Sequence, residues 1–209
     1  MKEQTYTQFI QQLIDGFQPG EPILVRELGN RIAEAYAMEE KKACAAAAVA
    51  VKRLIDTGTC PNLRFFAKGV YYVTKQTVFG ETGINKDKLI ELKYLKDGTG
   101  YETGAAVMHK LGLTTLMPAE RTFVSNSAQH RAKRDDALGI VIRAPRIPVN
   151  KENRFYLQFL DLLNMYDDVP VDAEDPYQLL GRFVQARGLD YGTLLHLADT
   201  HYNGNTIMK

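Results

Sequence analysis

A chain of 209 residues, 45% hydrophobic and 24% charged, has the make-up of an ordinary globular protein, with room for one large domain or two small ones. Cys44 and Cys60 are too few for a disulfide framework or a zinc site, and the longest uncharged apolar run, Ala43 to Val51, is too short to cross a bilayer. The net charge of +1 is unevenly spread: Glu39 to Lys75 carries a surplus of four positive charges and Lys151 to the end a surplus of four negative ones, the asymmetry expected when one end meets phosphate.

The opening residues MKEQTYTQ lack the apolar core of a secretory signal, so the expected location is the cytoplasm, with no membrane partner. Phe9, Ile10, Leu13 and Ile14 form one stripe and predict a helix over 5–17, ended by Gln18-Pro19-Gly20. A second helix is predicted from about Val25 to Met38, with Leu28 and Ile32 inward. Gly29 should weaken it by about 1 kcal/mol relative to alanine.

The third helix is predicted from about Glu39 to Asp56, with acids in its first turn and Gly58 as its stop. Cys44, Ala47, Ala48, Val51, Leu54 and Ile55 are expected to pack inward. Lys42, Ala45, Ala46, Val49, Lys52 and Arg53 are expected to face out. Two strands, Asn62 to Phe66 and Val70 to Thr74, follow around the turn Ala67-Lys68-Gly69.

Three helices and a hairpin, both rich in cations, predict a winged helix-turn-helix. Its third helix would lie in the major groove and its hairpin would be the wing. The DNA-binding candidates are Lys41, Lys42, Ala45, Val49, Lys52, Arg53, Arg64 and Lys68. The helix lacks the Arg, Asn or Gln side chains that usually read bases. Its lysines suit phosphates, and its alanines and Val49 suit thymine methyls or a close helix approach.

The polar stretch Gln76 to Asn85 suggests a boundary, giving domains 1–78 and 79–209. In the second, helices are expected over 86–96 and 103–111 and strands over 121–125 and 138–144. Three tail helices are expected over 152–166, 177–186 and 190–202. The fold class expected is therefore α+β, a winged helix-turn-helix followed by a mixed domain with a helical tail. Arg131, Lys133, Arg134, Arg143 and Arg146 make a second basic cluster, read either as an extended nucleic-acid footprint or as a solvated loop.

Signals for catalysis are weak. Gly98-x-Gly100 with Gly104 has the wrong spacing for a dinucleotide site. His196 and His201 are five residues apart, which does not put them on one helical face for a metal. The acids from Asp167 to Asp175 lack the glycine and spaced glutamate of a calcium loop and read as a solvated linker. No cofactor is expected, and the chain reads as a non-enzyme.

The wing KGVYYVTK resembles the wing of the AbiEi-like antitoxins, transcriptional regulators of type IV toxin–antitoxin systems. The run TGAAVMHKLGLTTLMPAERTFVSNS, Thr103 to Ser127, is similar to that family's second-domain signature, in which an L-G-L-[ST]-T-x-x-P loop leads to a strand. The loop residues here are Leu111, Gly112, Leu113, Thr114, Thr115 and Pro118. The resemblance covers roughly Leu54 to Ser127. It implies an autoregulating repressor bound to an inverted-repeat operator as a dimer or a cooperative pair. It also implies an antitoxin that counteracts a nucleotidyltransferase-like toxin without forming a stable complex. The alternatives are a plain regulator and a winged-helix module that docks another protein.

Overall fold

The structure, a computed structural model, describes residues 5–129 and 131–202. It is a mixed α+β protein of two compact units, Met1–Leu89 and Ile90–Lys209. The division falls later than expected. The predicted boundary after Val78 lands in the turn of a small hairpin, and the first unit continues past it.

In the first unit, α1 (Tyr6–Asp15) opens with a reciprocal cap: the Thr5 hydroxyl accepts from Gln8 N–H, and the Gln8 side chain accepts from Thr5 N–H. A short strand β1 (Pro22–Leu24) follows, which sequence periodicity had hidden in the approach to a helix. Then come α2 (Val25–Tyr36), α3 (Glu40–Asp56), β2 (Leu63–Ala67) and β3 (Val70–Val73). The three strands form an antiparallel sheet in the order β1-β3-β2. The β2–β3 register shifts between Phe65 and Ala67, a bulge beside the Lys68-Gly69 turn.

The core of this unit joins Ile10 and Ile14 of α1, Leu28 and Ile32 of α2, and Ala43, Ala47, Ala50, Val51 and Leu54 of α3. The inward stripe of α3 is thus rotated from the expected one. Ala43 and Ala50 are buried, while Ala48 and Ile55 face solvent and Cys44 is half-buried. Close packing against α2 sets the rotation: a Cβ on Gly29 would lie 2.6 Å from Cys44 Sγ and 2.7 Å from Cys44 Cα. The two helices cross where one of them has no side chain.

A further hairpin, β4 (Gln76–Thr77) and β5 (Gly80–Glu81), replaces the expected linker. It is tied back by Arg64 and Glu81, whose side chains meet through two hydrogen bonds of 2.7 and 3.2 Å. The buried Thr74 hydroxyl also donates to Thr82 O at 2.8 Å.

The second unit follows α4 (Lys86–Ile90), which spans the division and runs on through a π-helical turn, Glu91–Leu95. Strand β6 (Gly100–Thr103), expected only as a turn, leads to α5 (Ala105–Lys110) and β7 (Arg121–Ser125). A Cβ on Gly100 would come within 2.5 Å of Tyr94 O and Val124 O, so only glycine fits this edge position. Strand β8 (Lys133–Asp135) lies in the run read as polar loop, and β9 (Ile140–Arg143) pairs in parallel with β7. The sheet order is β6-β7-β9-β8.

The tail helices are α6 (Arg154–Asn164), α7 (Pro176–Arg187) and α8 (Tyr191–His201), with Asp175 and Asp190 capping the last two through Gln178 N–H and Thr193 N–H. Helix α6 joins two parts of the core. Leu157 packs with Tyr101, Val124 and Val149, while Phe159, Leu160 and Leu162 pack with Met108, Leu113, Leu180, Phe183 and Leu194.

Candidate nucleic-acid interface

The outward strip of α3 consists of Lys41, Ala45, Ala48, Val49 and Lys52, flanked by Lys42 and Arg53; Val49 is 51% exposed. Helical rise places Lys41 and Lys52 about 17 Å apart along the axis. Lys42 pairs with Glu39 at 3.6 Å. Among the described residues, Lys41, Lys52, Arg53 and Lys68 have no carboxylate within ion-pair distance. Exposed cations without partners are the groups a polyanion can engage without first breaking a protein ion pair.

The hairpin turn is tied to the start of α2, where Val25 N–H donates to Gly69 O at 3.0 Å. The next residue, Arg26, reaches Glu40 at the start of α3 at 3.7 Å. Lys68 thus belongs to the end of the unit where α2 and α3 begin. Arg64 does not join it. Its guanidinium is committed to Glu81 and to Pro61 O, at 2.7 Å each, and the hydrogen bond from Arg64 holds the Glu81 carboxyl below its ordinary pKa. The apolar residues Val78 and Phe79 at the tip of the β4–β5 hairpin are 93% and 98% exposed.

The second basic cluster is divided between two clefts of the second unit. Arg131, Lys133 and Arg134 line one of about 940 Å³ with Lys93, Tyr94 and Asp135. Arg134 is paired there with Glu120 and Asp136. The Asp135 carboxylate accepts from Lys93 Nζ at 2.7 Å and Tyr94 Oη at 2.6 Å. Burial raises the Asp135 pKa, but these two donors and Leu138 N–H outweigh it and leave the group below the usual carboxylate range. Arg143 and Arg146 line the other cleft, of about 280 Å³, whose floor includes Tyr101 and Asp161. Sequence reading missed both carboxylate networks because their members are distant in the chain and no local spacing connects them.

The loop Leu111 to Pro118 is held by an acid from the supposed linker. Asp172 accepts from Thr115 N–H at 3.0 Å and from the Thr115 hydroxyl, and Asp172 N–H donates to Leu113 O at 3.1 Å. His109 Nδ1 lies 3.1 Å from Thr114 O on the same loop. Of the other histidines, His130 lies outside the described residues.

No family model matches the chain, and no curated protein matches it significantly. Among the described residues no cluster of His, Cys, Asp and Glu has the arrangement of a metal site, and no helix is long and apolar enough to cross a membrane. Burial raises the pKa of the Cys60 thiol, as does the nearby Asp15, the opposite of what an activated nucleophile needs.

Proposed function

We propose that the first unit is a winged helix-turn-helix that binds operator DNA and represses transcription, with α3 in the major groove and β2–β3 as the wing. The observation carrying this reading is the outward strip of α3: small side chains along its centre, with Lys41, Lys52 and Arg53 unpaired at its ends and edge. Alanines let a helix backbone approach the groove floor closely, and Val49 suits a thymine methyl. The lysines and Arg53 supply phosphate contacts, which set register and most of the affinity but carry little sequence information.

Binding to an inverted repeat requires two copies. Lys52→Ala with Arg53→Ala should weaken binding to the protein's own promoter and reduce the slope of log K against log salt by about two, because two phosphate contacts are lost. Gel shifts at several salt concentrations measure this. An unchanged affinity and slope would remove Lys52 and Arg53 from the interface.

The second part of the proposal is antitoxin activity of the Ile90–Lys209 unit, without catalysis of its own. Its support is the resemblance over Leu54 to Ser127, centred on the Leu111 to Pro118 loop. The test is co-expression with a nucleotidyltransferase-like toxin encoded beside the gene. The full chain should restore growth, whereas Met1–Leu89 should retain promoter binding and fail to protect. A full chain that does not protect against the neighbouring toxin leaves a plain regulator.

One observation favours a second reading, docking of a partner protein by the first unit: the bare apolar tip of Val78 and Phe79. Heparin retention and a promoter shift both fail for a pure protein binder.

A further inference from the structure

The smaller cleft of the second unit lies among four elements of that unit. Tyr101 comes from β6, Val124 from β7, Arg143 from the end of β9, and Asp161 from α6. The extended run Ala144 to Arg146 completes it.

Its floor and its rim have opposite chemistry. On the floor, Asp161 accepts from Tyr101 Oη at 3.0 Å through one oxygen and from Tyr202 Oη at 2.9 Å through the other. A carboxylate offers about four acceptor positions, so each oxygen retains capacity for one more donor. On the rim, Arg143 and Arg146 are both exposed. Among the described residues neither has a carboxylate within ion-pair distance. Arg146 is oriented: its guanidinium stacks on the Tyr202 ring at 4.6 Å and donates a long hydrogen bond to His201 O at 3.5 Å, leaving other donors free. Asp161 is thus held in place by two tyrosines; burial pushes its pKa up, and the two tyrosine hydroxyls and the charges of Arg146 and Arg143, which act on it without closing to ion-pair distance, oppose that rise.

We propose that this cleft binds a small phosphate monoester that also carries hydroxyl groups, the phosphate on Arg143 and Arg146 and a hydroxyl donating to Asp161. Guanidinium forks match phosphate oxygens in geometry and charge. A fixed carboxylate accepts hydroxyl hydrogen bonds, as carboxylates do from ribose diols. A volume of about 280 Å³ lies just below the usual range of ligand pockets. It suits a sugar phosphate or the phosphorylated terminal sugar of a nucleic acid better than a whole dinucleotide. This site is independent of the first unit and of the operator-binding proposal.

The test is calorimetric titration of the full chain with ribose 5-phosphate, with ribose and inorganic phosphate as partial ligands. A short single-stranded RNA with and without a 5′-phosphate forms a second arm. Ribose 5-phosphate should bind, inorganic phosphate should bind more weakly, and ribose should not bind detectably. Arg143→Ala with Arg146→Ala should cost at least about tenfold, since charge-assisted hydrogen bonds are among the strong ones. The double variant removes exposed side chains, and its thermal melt checks folding. Asp161→Asn should weaken ribose 5-phosphate but not inorganic phosphate, which loses a nearby negative charge and no hydrogen-bond partner, separating the floor's role from the rim's. Preference for the phosphorylated RNA would make a nucleic-acid end the source, and preference for ribose 5-phosphate a free metabolite. Absence of binding by every phosphate monoester at millimolar concentration, or binding that survives loss of both arginines, overturns the proposal.

Discussion

Gly29 sits in the middle of α2, where its conformational freedom works against the helix by about 1 kcal/mol relative to alanine. Packing reverses that arithmetic. An added methyl would meet Cys44 Cα and Sγ at well under contact distance, and the Cα belongs to the backbone of α3 and cannot rotate away. Gly29→Ala should therefore destabilise the first unit by about 1–3 kcal/mol, the range for overpacked cores, despite its better propensity. Urea melts measure this, and a gain in midpoint would mean that propensity had won. Asp135 offers a pH-dependent counterpart in the second unit. Its folded pKa is depressed, so its contribution is complete above the unfolded value of about 3.9 and is lost as pH falls through the lower folded value. Asp135→Asn should lower the melting temperature at neutral pH and flatten its decline below about pH 4. An unaltered acid limb in both scans would show that Lys93, Tyr94 and Asp135 do not contribute in this way.

At the scale of elements, α3 and the hairpins divide the cations that sequence grouped together. Lys68 occupies the turn of β2–β3, next to the first residue of α2, and is unpaired, whereas Arg64 points to Glu81 and fixes β4–β5. On the proposed operator-binding role, Lys68→Ala should accordingly weaken promoter binding more than Arg64→Ala does. Glu81→Ala should strengthen non-specific retention on heparin, because it frees a guanidinium and removes a negative charge. Equal losses for Lys68→Ala and Arg64→Ala would show that Arg64 leaves Glu81 to meet phosphate. The extent of α3 was legible because acids in its first turn, an alanine run and Gly58 are local signals. Its facing was not, because small residues populate nearly its whole surface and give periodicity little contrast; the contact between Gly29 and Cys44 decides the rotation. Strands β1, β6 and β8 escaped for a different reason. Each is three or four residues long and is defined by the partner it pairs with rather than by its own pattern.

For the whole molecule, the two units predict separable folding. Met1–Leu89 expressed alone should unfold cooperatively, because its core draws on α1, α2, α3 and β2 within the same unit. A chain ending at Val78, the boundary that polarity suggested, should be less stable. It loses the acceptor of the buried Thr74 hydroxyl, the Glu81 partner of Arg64 and the hydrogen bond from Asn85 N–H to Gly20 O at 2.7 Å. An unpaired buried hydroxyl alone costs about 1–3 kcal/mol. Thermal melts of the two fragments compare them directly, and equal midpoints would return the boundary to Val78.

By itself the sequence determined the α+β class, the long helices, the β2–β3 hairpin, strand β7 and the placing of positive charge toward one end of the chain. Helical periodicity, caps and turn residues act over a few positions, and a single chain displays them. Tertiary structure alone decided which side of α3 faces outward, that Gln76 to Glu81 is a tethered hairpin, and that Asp172 holds the Leu111 to Pro118 loop. It also decided that the second basic cluster serves two clefts, with Arg143 and Arg146 over Asp161. These depend on groups tens of residues apart meeting at hydrogen-bond distance, which is a property of packing and leaves no mark in local spacing.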